Sequence, residues 1–355
     1  MTTPYDGQPA HRFWKASSRG ADATAAGFDA GRKFAFAKAD LFAPAGSCFA
    51  QHFARELAAR GGRVLATESR HPLEPADAAL GYGVFPARFG NIYTARHLRE
   101  LLEQAFGERD PVRDFVLRED GRWVDQLRPR AVPAGFASRA HAIADRDHHL
   151  TAVRRMVESM GVLVFTLGLT ETWENAPGGY AYPIVPGAVA GAFDPAIHRF
   201  ANARVADVVA DLERVVALVA ARNAGARVLL TVSPVGLAAT AEARSVMVST
   251  AASKGILRAA ADELVRSHAH VDYFPSFEII TGAWARGRFW AEDLREVSAE
   301  GVDAVMAAFM ASRLPELAGS SPSPAAPSAS PGTDPSDAFA AALDAACDER
   351  FLDRS

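Results

Sequence analysis

The stretch 162-VLVFTLGL-169 is apolar at nearly every position. It lacks the in–out alternation of a strand that faces water on one side, and a continuous run of this length suits a strand buried on both faces of a parallel sheet. The stretch 227-RVLLTVSPV-235 repeats the pattern and is ended by a proline, and 271-VDYFPSFEII-280 reads as a third strand with its exit loop. Helical periodicity fills the gaps, over 204–225 and 247–268, with a long helix at 138–160 and a last core helix at 298–313. Upstream, 36-FAKADLFAPAGS-47 predicts a short strand entering a tight turn. Phe49, Phe53 and Leu57 then mark a helix stopped by Gly61 and Gly62, and 63-RVLATES-69 predicts another strand. Thr94 is placed to cap a helix whose apolar face is Leu98, Leu101, Leu102 and Phe106. Residues 108–138 read as a small insertion with short strands, and 172–200 as loop. Strand–helix alternation of this kind predicts the α/β class, as a three-layer α/β/α sandwich around a mainly parallel sheet. Ligands of such sheets bind beyond the carboxyl ends of the strands, so the loops to watch are 44–48, 168–175, 233–240 and 280–296.

The division of the chain follows composition. Residues 1–35 are polar, with Phe13 and Trp14 as the anchors expected to hold this extension to the body, and residues 36–313 form the α/β domain. Residues 314–335 are rich in Pro, Ser and Ala and predict a disordered linker. The tail 336–355 predicts a short amphipathic helix able to meet the core or a protein partner. With 355 residues, 49% of them hydrophobic, the chain can bury a sizeable core. A net charge of -4 without a basic stripe argues against nucleic acid. The N-terminus has no apolar segment of a secretory signal, and the longest apolar run is too short for a membrane span. Two cysteines in unlike contexts, Cys48 and Cys347, fit a reducing compartment, so the expected location is the cytoplasm. The pair 148-HH-149 has no third ligand at metal spacing, and neighbours on a helix diverge. Neither metal nor cofactor is expected.

The turn in 43-APAGSCFAQHFARELAARGG-62 sets Ser47 and Cys48 at a helix N-terminus. Unpaired N–H groups and the helix dipole there favour an anionic ligand, an oxyanion or a thiolate. A serine that merely caps the helix satisfies the same pattern. The segment 46-GSCFA-50, together with 81-GYGVFPARFGNIYTA-95, 164-VFTLGLTETW-173, 230-LTVSPV-235 and 273-YFPSFEII-280, resembles the GSCFA family over most of the chain, from about Phe13 to Phe309. The resemblance implies an SGNH/GDSL-like hydrolase plan. On that plan Ser47 is the nucleophile and Gly90 the second-block glycine whose N–H helps hold an oxyanion. The third block is 168-GLTE-171, so Gly168, Thr170 and Glu171 frame the site. Thr170 stands where the superfamily has an asparagine donor, and Asn91, beside Gly90, is a second donor. Gly90 also fits a plain turn, and Thr170 and Glu171 fit a helix cap.

The last block departs from the plan. It reads 292-EDLREVS-298, in which Asp293 matches the aspartate and Glu296 occupies the histidine position, and no histidine follows His270. A serine hydroxyl needs a positioned base. Glu296 coupled to Asp293 can serve if burial raises its pKa; Cys48 is an alternative nucleophile; His97, His149 and His198 are alternative bases. A solvated cluster at the start of a helix explains 293–296 equally. Ser253 and Lys254 lie in or near the start of a helix, where the lysine can meet an anionic group or simply sit on the surface. Two readings follow: an SGNH-like ester hydrolase or acyltransferase acting on a small-molecule or glycan ester through Ser47, or a catalytically silent pocket protein that binds a small anionic, acyl or glycan ligand. A partner-binding role through 336–355 is a third.

Overall fold

Five strands pair side by side, all parallel, in the computed structural model, which describes residues 3–18, 27–70 and 80–318. The strands are β1 (Leu41–Gly46), β2 (Arg63–Val64), β5 (Val162–Leu167), β9 (Arg227–Val232) and β10 (Val271–Tyr273), in the order β10-β9-β5-β1-β2. Phe42 pairs with Val162 and Gly46 with Thr166, and Leu163 with Val228. Counting only these five strands in chain order, the sheet runs 2-1-3-4-5. That order reverses direction between β1 and β5, and the crevice outside the carboxyl ends at this reversal is where doubly wound sheets hold ligands.

Two helical layers complete the sandwich. Ala43, Ala45, Leu163, Phe165, Leu167, Val228 and Leu230 point to one side, against α3 (Ala95–Ala105), α4 (Arg139–Ser159), α5 (Val205–Arg222) and α6 (Val246–Ser267). Phe42, Val162, Val164 and Leu229 point to the other, against α2 (Cys48–Ala59), α7 (Ser276–Thr281) and α8 (Ala299–Arg313). The strands are apolar on both faces because both faces are covered. The short helix α1 (Trp14–Ser18) lies outside this body, with no buried residue.

Several expectations need correction. The segment expected as loop over 172–200 is a three-stranded antiparallel sheet, β7-β6-β8, made of β6 (Glu171–Asn175), β7 (Tyr180–Tyr182) and β8 (His198–Asn202). Its strands are short and mixed in polarity, so no period-2 pattern announces them. The exit from β10 is the helix α7 rather than a loop, and β2 spans two residues rather than seven. The insertion at 108–138 holds the hairpin of β3 (Phe115–Leu117) and β4 (Trp123–Asp125). Phe13 and Trp14 are exposed, at 39% and 81%, and neither joins a core cluster among the described residues.

The N-terminal segment is fastened further along, by Phe28 and Phe34 packed on the α8 side of the core and by buried polar groups. The Arg313 guanidinium, fully buried, donates to both oxygens of Asp29 (2.6 Å each), to Asp272 (2.5 Å), and to the carbonyls of Phe34 and Tyr273. The compact body runs past Arg313, since Leu314 and Leu317 are buried against Phe309 and its neighbours. Residues 319–355, which contain most of the expected linker and all of the expected tail helix, lie outside the described residues. No helix among the described residues is long and apolar enough to cross a membrane.

Candidate functional site

Gly46 ends β1 beside Thr166 of β5. A Cβ there would lie 2.3 Å from the Thr166 carbonyl oxygen, and φ is +137°. Only glycine permits this approach, and it delivers Ser47 to the first turn of α2 at the point where the strand order reverses. Ser47 occupies the N-cap position, with φ -74° and ψ -178°. The other Ser and Thr residues at helix N-caps each accept a backbone N–H: Thr94 from His97, Ser138 from His141, Ser245 from Met247 and Ser298 from Gly301. Ser47 makes no such bond. Its Oγ is buried and has no hydrogen-bond partner among the described residues. An unspent buried hydroxyl costs on the order of 1–3 kcal/mol, so its placement calls for a reason beyond capping. The Cys48 side chain lies outside what the structure describes.

The second and third blocks are stitched to this turn by the backbone. Ile92 N–H donates to Gly46 O (2.7 Å), and Gly168 and Leu169 N–H both donate to Tyr93 O (3.0 and 2.9 Å). A Cβ on Gly168 would sit 3.3 Å from Ser47 Cβ, so the two residues are packed together. Ser47, the Gly90–Tyr93 loop and Gly168 therefore form one cluster. Gly90 adopts φ +75° with open space where a side chain would be. Asn91 is buried; its Oδ1 accepts from Gln51 (2.8 Å) and its Nδ2 donates to Tyr93 Oη (3.0 Å).

The remaining third-block residues do not cap a helix. Thr170 bonds through both N–H and Oγ1 to Ser253 Oγ, at 3.1 Å each. Glu171 accepts from Thr240 Oγ1 (2.7 Å) and from Ala241 N–H (3.3 Å), tying β6 to the loop after β9. Lys254, for which a surface position was the plainer expectation, is 2% exposed, and its Nζ donates to Gly168 O at 2.6 Å.

The last block is a tight loop at the same edge of the sheet. Arg295 Nε donates to Gly236 O, in the loop leaving β9 (3.1 Å). Leu294 takes φ +54°, and Asp293 Oδ1 accepts the N–H groups of Arg295 (3.0 Å) and Glu296 (2.9 Å). Asp293 is exposed and shapes the turn; Glu296 is half-buried.

Beyond Leu169 opens a cleft of about 200 Å³ between the strand-end loops and the β7-β6-β8 sheet. Tyr93, Leu169 and Leu237 form an apolar cluster at its base; Trp173, Tyr182 and Phe200 come from the antiparallel strands. His97 also lines it. Burial, helped by the nearby Arg146 charge, lowers the His97 pKa to about 4, so the imidazole is neutral at pH 7. The cleft exists because of the sheet hidden in 171–202, and no alternation in the sequence points to it.

Behind His97 lies a buried charge cluster that the sequence also conceals. Arg88, Arg128 and Arg146 meet Glu68, Asp125 and Asp145, all buried. Asp145 accepts from Arg88 and from Arg128 (2.6 Å), Arg128 Nε donates to Asp125 (3.1 Å), and His149 Nδ1 lies 2.7 Å from Glu68. Burial lowers the His149 pKa to about 4 as well, with Arg128 adding to the effect. His149, one of the histidines considered as a base, is thus enclosed with Glu68. His198 sits on β8, where its Nδ1 accepts from Asp194 N–H.

A family model, the GSCFA family, matches residues 42–309 of the chain. No curated protein and no solved structure matches it.

Proposed function

The chain belongs to the GSCFA family, and on that premise we propose that it is an SGNH-like acyl ester hydrolase or acyltransferase whose nucleophile is Ser47. The observation that carries this reading is the Ser47 hydroxyl: at a helix N-cap, buried, and neither capping the helix nor bonded to any described group. The α2 N-terminus favours the alkoxide and the oxyanion that form during attack. Gly90 N–H and the Asn91 amide, on a loop bonded to Gly46, are the donors nearest in the chain to the plan's second block. Both candidate side-chain donors are engaged, the Thr170 hydroxyl with Ser253 and the Asn91 amide with Tyr93 Oη, so either must turn from its present partner to meet an oxyanion. The aromatic cleft beyond Leu169 takes the uncharged part of the ester, given its apolar base and neutral imidazole.

A fluorophosphonate probe tests the reading. The wild-type chain is expected to label, and Ser47→Ala to reduce labelling to background while raising the thermal midpoint slightly, since the unspent hydroxyl is removed. Labelling that survives in Ser47→Ala sinks the assignment of the nucleophile.

A second reading is supported by the covered Ser47 Oγ and by Glu296 in place of the histidine. On that reading the protein is a catalytically silent binder of a small acyl or glycan ligand in the cleft. A chain that never labels, yet binds an acetylated sugar saturably in calorimetry, is the outcome that selects it.

A further inference from the structure

The geometry points to Lys254 as the proton acceptor for Ser47, in the role the missing histidine would fill; this inference rests on the hydrolase reading above. The first turns of α6 run into the carboxyl edge of the sheet, and Ser249, Ser253 and Lys254 are on its buried side. Ser253 holds Thr170, and Lys254 holds Gly168, so two successive residues of α6 grip two residues of the third block. Gly168 is the shared neighbour; the Ser47 hydroxyl is not bonded to the amine, which reaches it by leaving the Gly168 carbonyl. Its carbonyl takes the Lys254 ammonium at 2.6 Å, and its Cα face packs on Ser47, where a Cβ would lie 3.3 Å from Ser47 Cβ.

A lysine at 2% exposure is the kind of lysine that can act as a base. Burial is the general means by which a lysine comes to serve as a base, because removal from water disfavours the ammonium; the Gly168 carbonyl works the other way, and the bond to it must be given up when the proton leaves. The last-block carboxylates lack this setting: Asp293 is exposed and committed to the backbone of its own turn, and Glu296 is only half-buried.

The step balances as follows. Lys254 Nζ, as the neutral amine, takes the proton from Ser47 Oγ while Oγ forms a bond to the ester carbonyl carbon. The carbonyl π pair moves onto its oxygen. On collapse the carbon–oxygen bond to the alcohol breaks, and the leaving oxygen takes the proton back from the Lys254 ammonium. Water, or an acceptor alcohol, then attacks the acyl-serine by the same exchange and restores both groups.

Fluorophosphonate labelling rates of the wild-type chain, Lys254→Met and Lys254→Arg test this, with thermal melts confirming that each folds. Arginine keeps the charge and the bond to Gly168 but cannot give up its proton. Both variants are expected to lose labelling at least 100-fold, in line with loss of a positioned base. Rescue by arginine, or an undiminished rate in Lys254→Met, would show that Lys254 only braces the Gly168 loop and overturn the inference while leaving Ser47 in place. No labelling of the wild-type chain at any pH would overturn the hydrolase reading and the inference with it. Should neither variant fold, the wild-type pH midpoint decides: an amine midpoint falls steeply on warming, whereas one that stays put reports a carboxylate and rejects Lys254.

Discussion

Asp145→Ala is expected to cost the fold roughly 3–5 kcal/mol, the range found when one partner of a buried ion pair is removed. Asp145 has no exposed surface and accepts from two buried guanidiniums, Arg88 and Arg128. Burial alone would raise its pKa, but the Arg128 and Arg88 charges outweigh that and lower it. Its loss leaves a surplus of positive charge where water cannot screen it. Domains have only about 5–15 kcal/mol of stability in total, so the variant sits close to unfolding. At roughly 2 °C per kcal/mol, the low end of the range because the chain is large, the melting midpoint falls by about 6–10 °C. Asp145→Asn keeps the shape and loses the charge, and is expected to fall between wild type and alanine. A change below about 1 kcal/mol in urea unfolding of Asp145→Ala would mean that the cluster is hydrated and screened after all.

Acid is the second large lever on the same region. His97 and His149 have folded pKa values of about 4, against an ordinary 6.5. Once the pH drops below 6.5 the unfolded chain takes up protons that the folded chain refuses, so stability declines from there and levels off near pH 4. Each imidazole accounts for about 3 kcal/mol across that interval, and the pair for less than the sum because the two rings are coupled. The carboxylates act lower down. Burial would raise the Glu68 pKa, but His149, Arg128 and Arg88 together push it well below the usual carboxylate range, and Asp145 is lowered too. Their contribution is intact above their unfolded values, 4.5 and 3.8, and disappears as the pH falls further through the folded ones. Urea unfolding at pH 7.5, 6 and 5 checks the first stage. His149→Gln is expected to flatten the slope between pH 6.5 and 4, and an equal slope in that variant would remove His149 from the account.

The parallel core was legible because its strands are buried on both faces, so 162–167 and 227–232 read as unbroken apolar runs, and because Thr94 announces its helix as a cap does. The antiparallel sheet over 171–202 was not, since β6 and β8 are mostly half-buried without alternation and β7, though buried throughout, is only three residues long. The motif residues Ser47, Gly90, Asn91 and Gly168 come together through backbone bonds, which a turn and a glycine foreshadow. The charged residues went unread, or in the case of Lys254 pointed to the surface, for one reason. Arg88, Arg128, Asp145 and Lys254 carry the signature of surface positions, and only tertiary packing supplies the partners that let them be inside. Conversely, Phe13 and Trp14 look like core residues and join no core cluster among the described residues.

The Arg313 clasp has a consequence for where this molecule can be cut. Its two halves come from opposite ends of the body: Asp29 and Phe34 precede the family match, which starts at residue 42, and Arg313 follows its last residue, 309. A fragment trimmed to the matched limits would therefore discard both jaws at once and strand the Asp272 carboxylate in the interior. The natural unit of folding is wider than the unit of resemblance, and runs at least from Asp29 to Leu317.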